Sequence, residues 1–224
     1  MRCSSIAAIP PFDRMVLLMR HAERAAVTDI RTHASVMLTE QGRLDALALG
    51  RLIGARFGRA AVWHSPVPRC RETADSLAAG AAESGGAARV EGPLDWLGGD
   101  FIGGEPGWVN EEIAARGPDA FLRAWFDGTY PPRLIAPLAE AAAFEMKEAL
   151  SRLEDSPSPV TVAVTHDWNL LLLRERYLGL RHEDVGVPAY LDSVALLRRG
   201  ESVALWSLGR SVRLDGEAAS RGEA

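Results

Sequence analysis

A three-layer α/β fold, with a mainly parallel central sheet flanked by helices, is what three features of this 224-residue chain predict. Unbroken apolar runs end abruptly in polar residues around positions 15–24, 60–65 and 159–167. Strands buried on both faces of a parallel sheet carry this pattern. Segments with helical spacing alternate with those runs, as a layered α/β architecture requires. With 47% hydrophobic residues the chain can fill one full core, so residues 1–224 are expected to form a single domain.

The first strand, Met15-Val-Leu-Leu-Met, closes on Arg20-His21-Ala22-Glu23-Arg24. Thr39 is placed to cap a helix with Glu40 and Gln41 in its first turn, and Gly42, Ala46, Leu49 and Ile53 give that helix one packing face. The second strand, 60–65, ends at Ser65 and is followed by a helix over 69–82. Residues 94–133 carry Gly98-Gly99, Gly103-Gly104 and three tryptophans, with little strand character. They are expected to form loops and short helices over the site. An Ala-rich helix over 134–153, a third strand over 159–166 and a helix over 168–178 follow. Residues 190–198 and 202–208, joined through Arg199-Gly200-Glu201, predict a closing hairpin, and 214–224 a frayed tail.

Composition excludes several classes. A net charge of −5 argues against a general nucleic-acid surface. All but one of the 25 basic residues are arginine, Lys147 being the exception, a bias that genome composition explains as well as phosphate binding does. Cys3 and Cys70 are too few for a disulfide scaffold and fit no metal-binding spacing. The N-terminus is a poor signal peptide and no run has transmembrane length, so a cytoplasmic protein without membrane attachment is expected.

The chemistry gathers at three strand ends: Arg20-His21-Ala-Glu-Arg24, Ser65-Pro-Val-Pro-Arg69 with Thr73, and Thr165-His166-Asp167. Open α/β sheets bind ligands at the carboxyl ends of their strands. Arginines give a phosphate dianion planar, bidentate donors. A neutral imidazole is a nucleophile near pH 7, and phosphoryl transfer needs one in line with a charge-stabilised phosphorus. Asp167 can serve as the acid for a leaving alkoxide, and the helix behind it directs its positive end at the same place.

Leu17-Leu-Met-Arg-His21, Leu38-Thr-Glu-Gln-Gly42 with Ala46 and Leu49-Gly50, Ser65-Pro-Val-Pro-Arg69 with Thr73-Ala74, and Val164-Thr-His166 stand in one order over residues 15–175. In these motifs the chain resembles the histidine phosphatase superfamily, with its phosphoglycerate-mutase-like fold. The resemblance implies that His21 becomes phosphohistidine while Arg20, Arg69 and His166 hold the phosphate. Arg24 and the His166-Asp167 pair are similar to the acid-phosphatase branch, in which the aspartate protonates the leaving group. In the mutase-like branch that acid is a carboxylate in the segment after the second helix, so Asp95, Asp100 and Glu105 are reserve proton donors. Ala22 stands where the family carries glycine, which demands a turn with dihedrals that alanine tolerates.

The expectation is a metal-independent phosphomonoesterase with no cofactor, acting on a small phosphorylated molecule or a phosphoprotein. The alternatives are a mutase that returns the phosphoryl group to a bound substrate and a non-catalytic phosphate-binding domain. A metal site from His21, His166, Asp167 and Glu23 is the chemical rival, disfavoured by the arginines around it. Outside the set, His64 is expected as a satisfied core histidine, His33 and His182 as surface residues, and Arg71 on a solvent face. Trp96, Trp108 and Trp125 line a substrate pocket or pack the inserted segment, and Ser65 and Cys70 are weak nucleophile candidates.

Overall fold

A computed structural model describes residues 4–26, 30–103 and 106–214; Cys3, Glu105 and nearly all of the expected tail lie outside these. After a short helix α1 (Ser4–Ala7), strand β1 (Arg14–Arg20) carries the first apolar run. Next come α2 (Glu40–Phe57), β2 (Arg59–His64), α3 (Pro68–Glu83) and β3 (Ala87–Pro93). The inserted segment holds α4 (Gly107–Arg116) and α5 (Pro118–Phe126), and α6 (Leu138–Asp155) leads into β4 (Val160–Thr165). The chain continues through α7 (Asp167–Leu178) and α8 (His182–Val185) to β5 (Ser193–Arg199), β6 (Ser202–Ser207) and β7 (Arg210–Arg213). No described helix is long and apolar enough to cross a membrane.

The seven strands form one sheet in the order β3-β2-β4-β1-β5-β6-β7. Its first half is parallel, from β3 through β2 and β4 to β1, and its second half is antiparallel, from β1 through β5 and β6 to β7. The parallel half is the part that carries the expected site. Residues of β1 alternate cleanly between two cores. Met15, Leu17 and Met19 pack with Leu49, Ile53 and Leu77 of α2 and α3. Val16 and Leu18 pack with Met146, Leu153, Leu170 and Leu173 of α6 and α7. Two helix layers therefore enclose the sheet, as the three-layer reading requires.

Local chemistry sets the helix starts. The Thr39 hydroxyl accepts the Gly42 N–H at 2.9 Å, the cap expected from the sequence. Pro68 opens α3, where its missing N–H costs nothing. Gly42 is demanded by packing, because a Cβ there would lie 2.1 Å from the Glu23 carbonyl oxygen. The α6 helix begins at Leu138 rather than at 134, since Pro137 precedes it and biases the chain toward extended backbone.

Residues 94–133 are more than loops. Phe121, Leu122, Trp125 and Phe126 join Leu171 and Leu172 of α7 in a third apolar cluster, on the side of α7 away from the sheet. Trp125 is fully buried and donates its indole N–H to the Ala136 carbonyl at 2.7 Å. Trp108 packs against the same cluster, and Trp96 against the α6–α7 core. Of the two readings offered for these tryptophans, packing is therefore the observed one for Trp125.

Two strands escaped sequence reading. The β3 strand, Ala-Ala-Arg-Val-Glu-Gly-Pro, is an edge strand with only partial burial, and β7 is four exposed residues at the opposite edge. Neither needs an apolar run, because an edge strand pairs on one side only.

Candidate active site

Parallel pairing puts the carboxyl ends of β1, β2 and β4 on one edge, with Arg20 opposite Thr165 and His64 opposite Val164. The next residues of each strand then share one place. The His21 N–H donates to the Thr165 carbonyl at 2.9 Å, and the Ser65 N–H to the Val164 carbonyl at 2.8 Å. The His21 and His166 rings meet edge to face, 5.4 Å between centroids.

His21 is buried, at 2% exposure. Its Nδ1 lies 2.8 Å from the Ala22 carbonyl oxygen, which can only accept, so Nδ1 carries the proton and Nε2 keeps its lone pair. Burial pushes the imidazole pKa down to about 2, with Arg69, His166 and Arg20 adding in the same direction. A neutral imidazole with one free nitrogen is the form a nucleophile needs.

Ala22 is fully buried against Leu38 and Ala46, and its N–H donates to the Thr73 hydroxyl at 3.1 Å. The described non-glycine residues with positive φ are Leu191 and Leu208, so Ala22 sits in backbone space open to any L-residue. The substitution for the family's glycine therefore costs no backbone strain.

The arginines converge as expected. Arg69, in the first turn of α3 and 4% exposed, donates from a terminal guanidinium nitrogen to His166 Nδ1 at 3.1 Å. Nδ1 being the acceptor, His166 Nε2 carries the proton and donates to the Ser65 hydroxyl at 3.1 Å. Burial lowers the Arg69 pKa, and Arg24, Asp167 and Arg20 all lie close enough to act on its charge. Arg20 is held on three sides: by the Pro188 carbonyl, by Asp167 Oδ2 at 2.8 Å, and by the Tyr190 ring 4.4 Å below its guanidinium carbon. Arg24 is half-buried, close enough to act on the Arg69 charge, and its guanidinium donates to the Ala25 carbonyl at 2.9 Å.

Asp167 is the first residue of α7, and its Oδ1 accepts the Trp168 N–H at 3.0 Å. Among the reserve carboxylates, Asp95 is exposed on a short 3-10 turn (Asp95–Gly98) that follows β3. That turn is tied to β4, where the Thr165 hydroxyl donates to the Leu97 carbonyl at 2.8 Å. Asp100 is exposed beyond it, and Glu105 lies outside the described residues.

The rival readings fare differently. Glu23 turns away to accept the Thr39 hydroxyl at 2.8 Å, bracing the start of α2 rather than joining a metal set with His21, His166 and Asp167. Cys70 is fully buried 3.8 Å from His166 Nε2, and burial pushes its thiol up to about 12, which removes it as a nucleophile. His64 is the satisfied core histidine expected, with Nδ1 donating to the Ser65 carbonyl at 2.8 Å. Arg71 is exposed and pairs with Asp75. His182 corrects the surface expectation: it is 3% exposed, covered by Phe126 at a ring distance of 5.7 Å. The side chain of His33 is outside the described residues.

Tyr190 is the residue that sequence reading missed, having been placed inside a strand. It sits in the turn before β5, between Arg20 and the His21 ring 5.8 Å away. The signal was topological, because a strand antiparallel to β1 must begin at the carboxyl end of β1.

Comparison with solved structures gives the same fold. The chain is similar to the mycobacterial glucosyl-3-phosphoglycerate phosphatase, at 19% identity and TM-score 0.55 over 82% of this chain and 89% of that one. It is similar to the product of a Mycobacterium tuberculosis open reading frame, at 20% and 0.59 over 88% and 97%. A phosphoserine phosphatase from Entamoeba histolytica, in complex with 3-phosphoglyceric acid, matches at 14% and 0.59 over 92% and 98%. At such identities the likeness shows the fold. Comparison with curated proteins gives no match. The sequence model of the histidine phosphatase superfamily (branch 1) matches residues 16–197, most of the length, and with it the chain belongs to that superfamily.

Proposed function

We propose that the chain is a phosphatase that hydrolyses a phosphomonoester through a phosphohistidine on His21, with no metal in the reaction. One observation carries this reading. His21 is a buried, neutral imidazole, its Nδ1–H spent on the Ala22 carbonyl, with Arg20, Arg24 and Arg69 in the same charge cluster. Those arginines bind the dianion and neutralise the charge that spreads over its oxygens in the transition state.

In the first step the Nε2 lone pair forms a bond to phosphorus while the P–O ester bond breaks. The departing alkoxide takes a proton from the Asp167 carboxyl. In the second step Asp167 takes a proton from water, the hydroxide attacks phosphorus, and the N–P bond breaks to free phosphate and restore His21. Each cycle returns the proton it uses. Both Asp167 oxygens are engaged without substrate, one by Arg20 and one by the Trp168 N–H. A phosphate dianion competes for the Arg20 guanidinium, and that competition frees Oδ2 as the ester arrives. Asp167 thus parks Arg20 as a carboxylate before binding; released from that pair it takes up a proton from solvent, serves as acid and then base, and gives the proton back when phosphate leaves and Arg20 returns.

Rapid quench into alkaline denaturant with labelled substrate is expected to trap a base-stable, acid-labile phosphoenzyme that His21→Ala lacks; full activity in that variant would overturn the mechanism. The acid is assigned by leaving group. Asp167→Asn should slow alkyl phosphates by about 10²–10⁴-fold, the range for general acid catalysis. An aryl phosphate, whose phenolate leaves unaided, should be phosphorylated at nearly the normal rate. That pattern appearing in Asp95→Asn or Asp100→Asn instead would move the acid to the segment after β3. Free phosphate as the main product, rather than a rearranged phosphoester, separates hydrolysis from mutase action.

A further inference from the structure

At the far end of α7 three groups from two helices, Glu175 of α7 and His182 and Glu183 of α8, come together. His182 of α8 is 3% exposed, and its Nε2 lies 3.2 Å from the Asp119 carbonyl, which can only accept. Nε2 therefore carries the proton and the Nδ1 lone pair points the other way. Two carboxylate oxygens lie beside Nδ1: Glu183 Oε2 at 3.3 Å and Glu175 Oε2 at 4.0 Å. His182 Nδ1 and Glu175 Oε2 are both buried and make no hydrogen bond. Acceptors buried against one another repel unless a positive centre lies among them.

Arg123 supplies only part of that charge. It donates to Glu175 Oε1 at 2.6 Å and to both oxygens of Glu183 at 2.6 and 2.8 Å, leaving Glu175 Oε2 untouched. Asp127 also takes a hydrogen bond from Arg123, and Arg181 reaches Glu183. Three carboxylates against two guanidinium groups leave the cluster negative by one unit.

We propose that Glu175, His182 and Glu183 bind a divalent cation of the zinc type. Bonds of about 2.0–2.1 Å at tetrahedral angles put ligand atoms roughly 3.3–3.4 Å apart. The His182–Glu183 separation of 3.3 Å meets that spacing, and Glu175 reaches it by closing a gap of 4.0 Å. A zinc-bound imidazole ordinarily donates its other N–H to a carbonyl or carboxylate, as His182 does to Asp119. Water fills the fourth position from the side where Glu183 is exposed. Glu175 lies eight residues along α7 from Asp167, about 12 Å at the helical rise. The ion is therefore a clamp between α5, α7 and α8, and takes no part in phosphoryl transfer.

The test uses the whole protein, stripped by chelator and dialysed free of it. Zn²⁺ should bind with one-to-one stoichiometry by calorimetry and raise Tm by several degrees, and Co²⁺ should give the intense visible bands of a tetrahedral site. Glu183→Gln, an exposed change that leaves the core intact, should weaken binding at least about 10-fold, and Glu175→Gln should do the same. Phosphatase turnover should be equal in stripped and loaded protein. Absence of saturable binding to folded wild type overturns the proposal, and so does a His182 imidazole that proves doubly protonated without metal. Binding kept intact in both glutamine variants places the ion elsewhere and overturns it too.

Discussion

The two ends of α7 use the same side chains for opposite purposes. At its start, a buried histidine and its neighbours meet Arg20, Arg24 and Arg69, with Asp167 the carboxylate paired to Arg20. At its far end, a buried histidine meets Glu175 and Glu183, with Arg123 as the shared cation. Burial first, and the surrounding positive charge second, keep His21 neutral; on the two proposals above, the positive end takes an anion and the negative end a cation. Histidine itself decides little. The local balance of arginine to carboxylate decides whether the imidazole faces a phosphate or a positive ion.

The contrast can be broken first at His21, the proposed nucleophile. His21→Ala should lower kcat by about 10⁴-fold or more, the loss seen when a covalent nucleophile is removed, measured as phosphate release. At the far end His182→Gln should leave turnover per folded molecule unchanged. A milder change, Arg69→Lys, keeps the charge but loses the planar fork; kcat/KM should fall roughly 10²–10³-fold. Equal activity in that variant would mean that charge alone suffices at this position.

At the negative end, Arg123→Leu removes the cation shared by Glu175 and Glu183 and leaves Glu175, 8% exposed at its side chain, without its partner. Discounted for the partial exposure of Arg123, the cost is about 2 kcal/mol, or roughly 4–8 °C in Tm for a chain of this size. Scanning calorimetry reads it, with activity below the transition unaffected.

Titration sharpens the comparison more gently. The unfolded chain takes up a proton at His21 near 6.5, and the folded chain refuses it down to about 2, so acid between those values favours unfolding. His21→Ala should flatten that part of the stability profile. Glu145 has the opposite sign. Fully buried beneath α7 and bonded to Asn169, it has a pKa raised by burial from 4.5 to about 8. The folded chain keeps a proton that the unfolded one has lost, so stability should decline from pH 4.5 to about 8 and then level. Glu145→Gln should remove the decline, seen as a Tm that no longer drops across that range.

Sequence alone exposed much of this and hid the rest for physical reasons. The runs that became β1, β2 and β4 are buried on both faces and so cannot vary in polarity. Their ends had to carry His21, Arg69 and His166 together once the strands were parallel. Tyr190 was hidden because it belongs to a turn, where no periodicity reveals which residue faces the site. His182 was misjudged because its neighbours Arg181, Glu183 and Asp184 are polar, while its burial comes from Phe126, 56 positions earlier. A short polar helix does not announce the partner that covers it.

Cys70 offers a use apart from chemistry at phosphorus. Its thiol is fully buried against His166 and the Thr165 carbonyl, at the junction of β4 and α3. An alkylating reagent reaches it only when that junction parts from its neighbours, so in a Cys3→Ser background the labelling rate counts openings of the proposed phosphate cradle. The chain thus carries its own gauge of how often the cradle comes undone, and a bound phosphate that ties His166 and Arg69 together should slow the count.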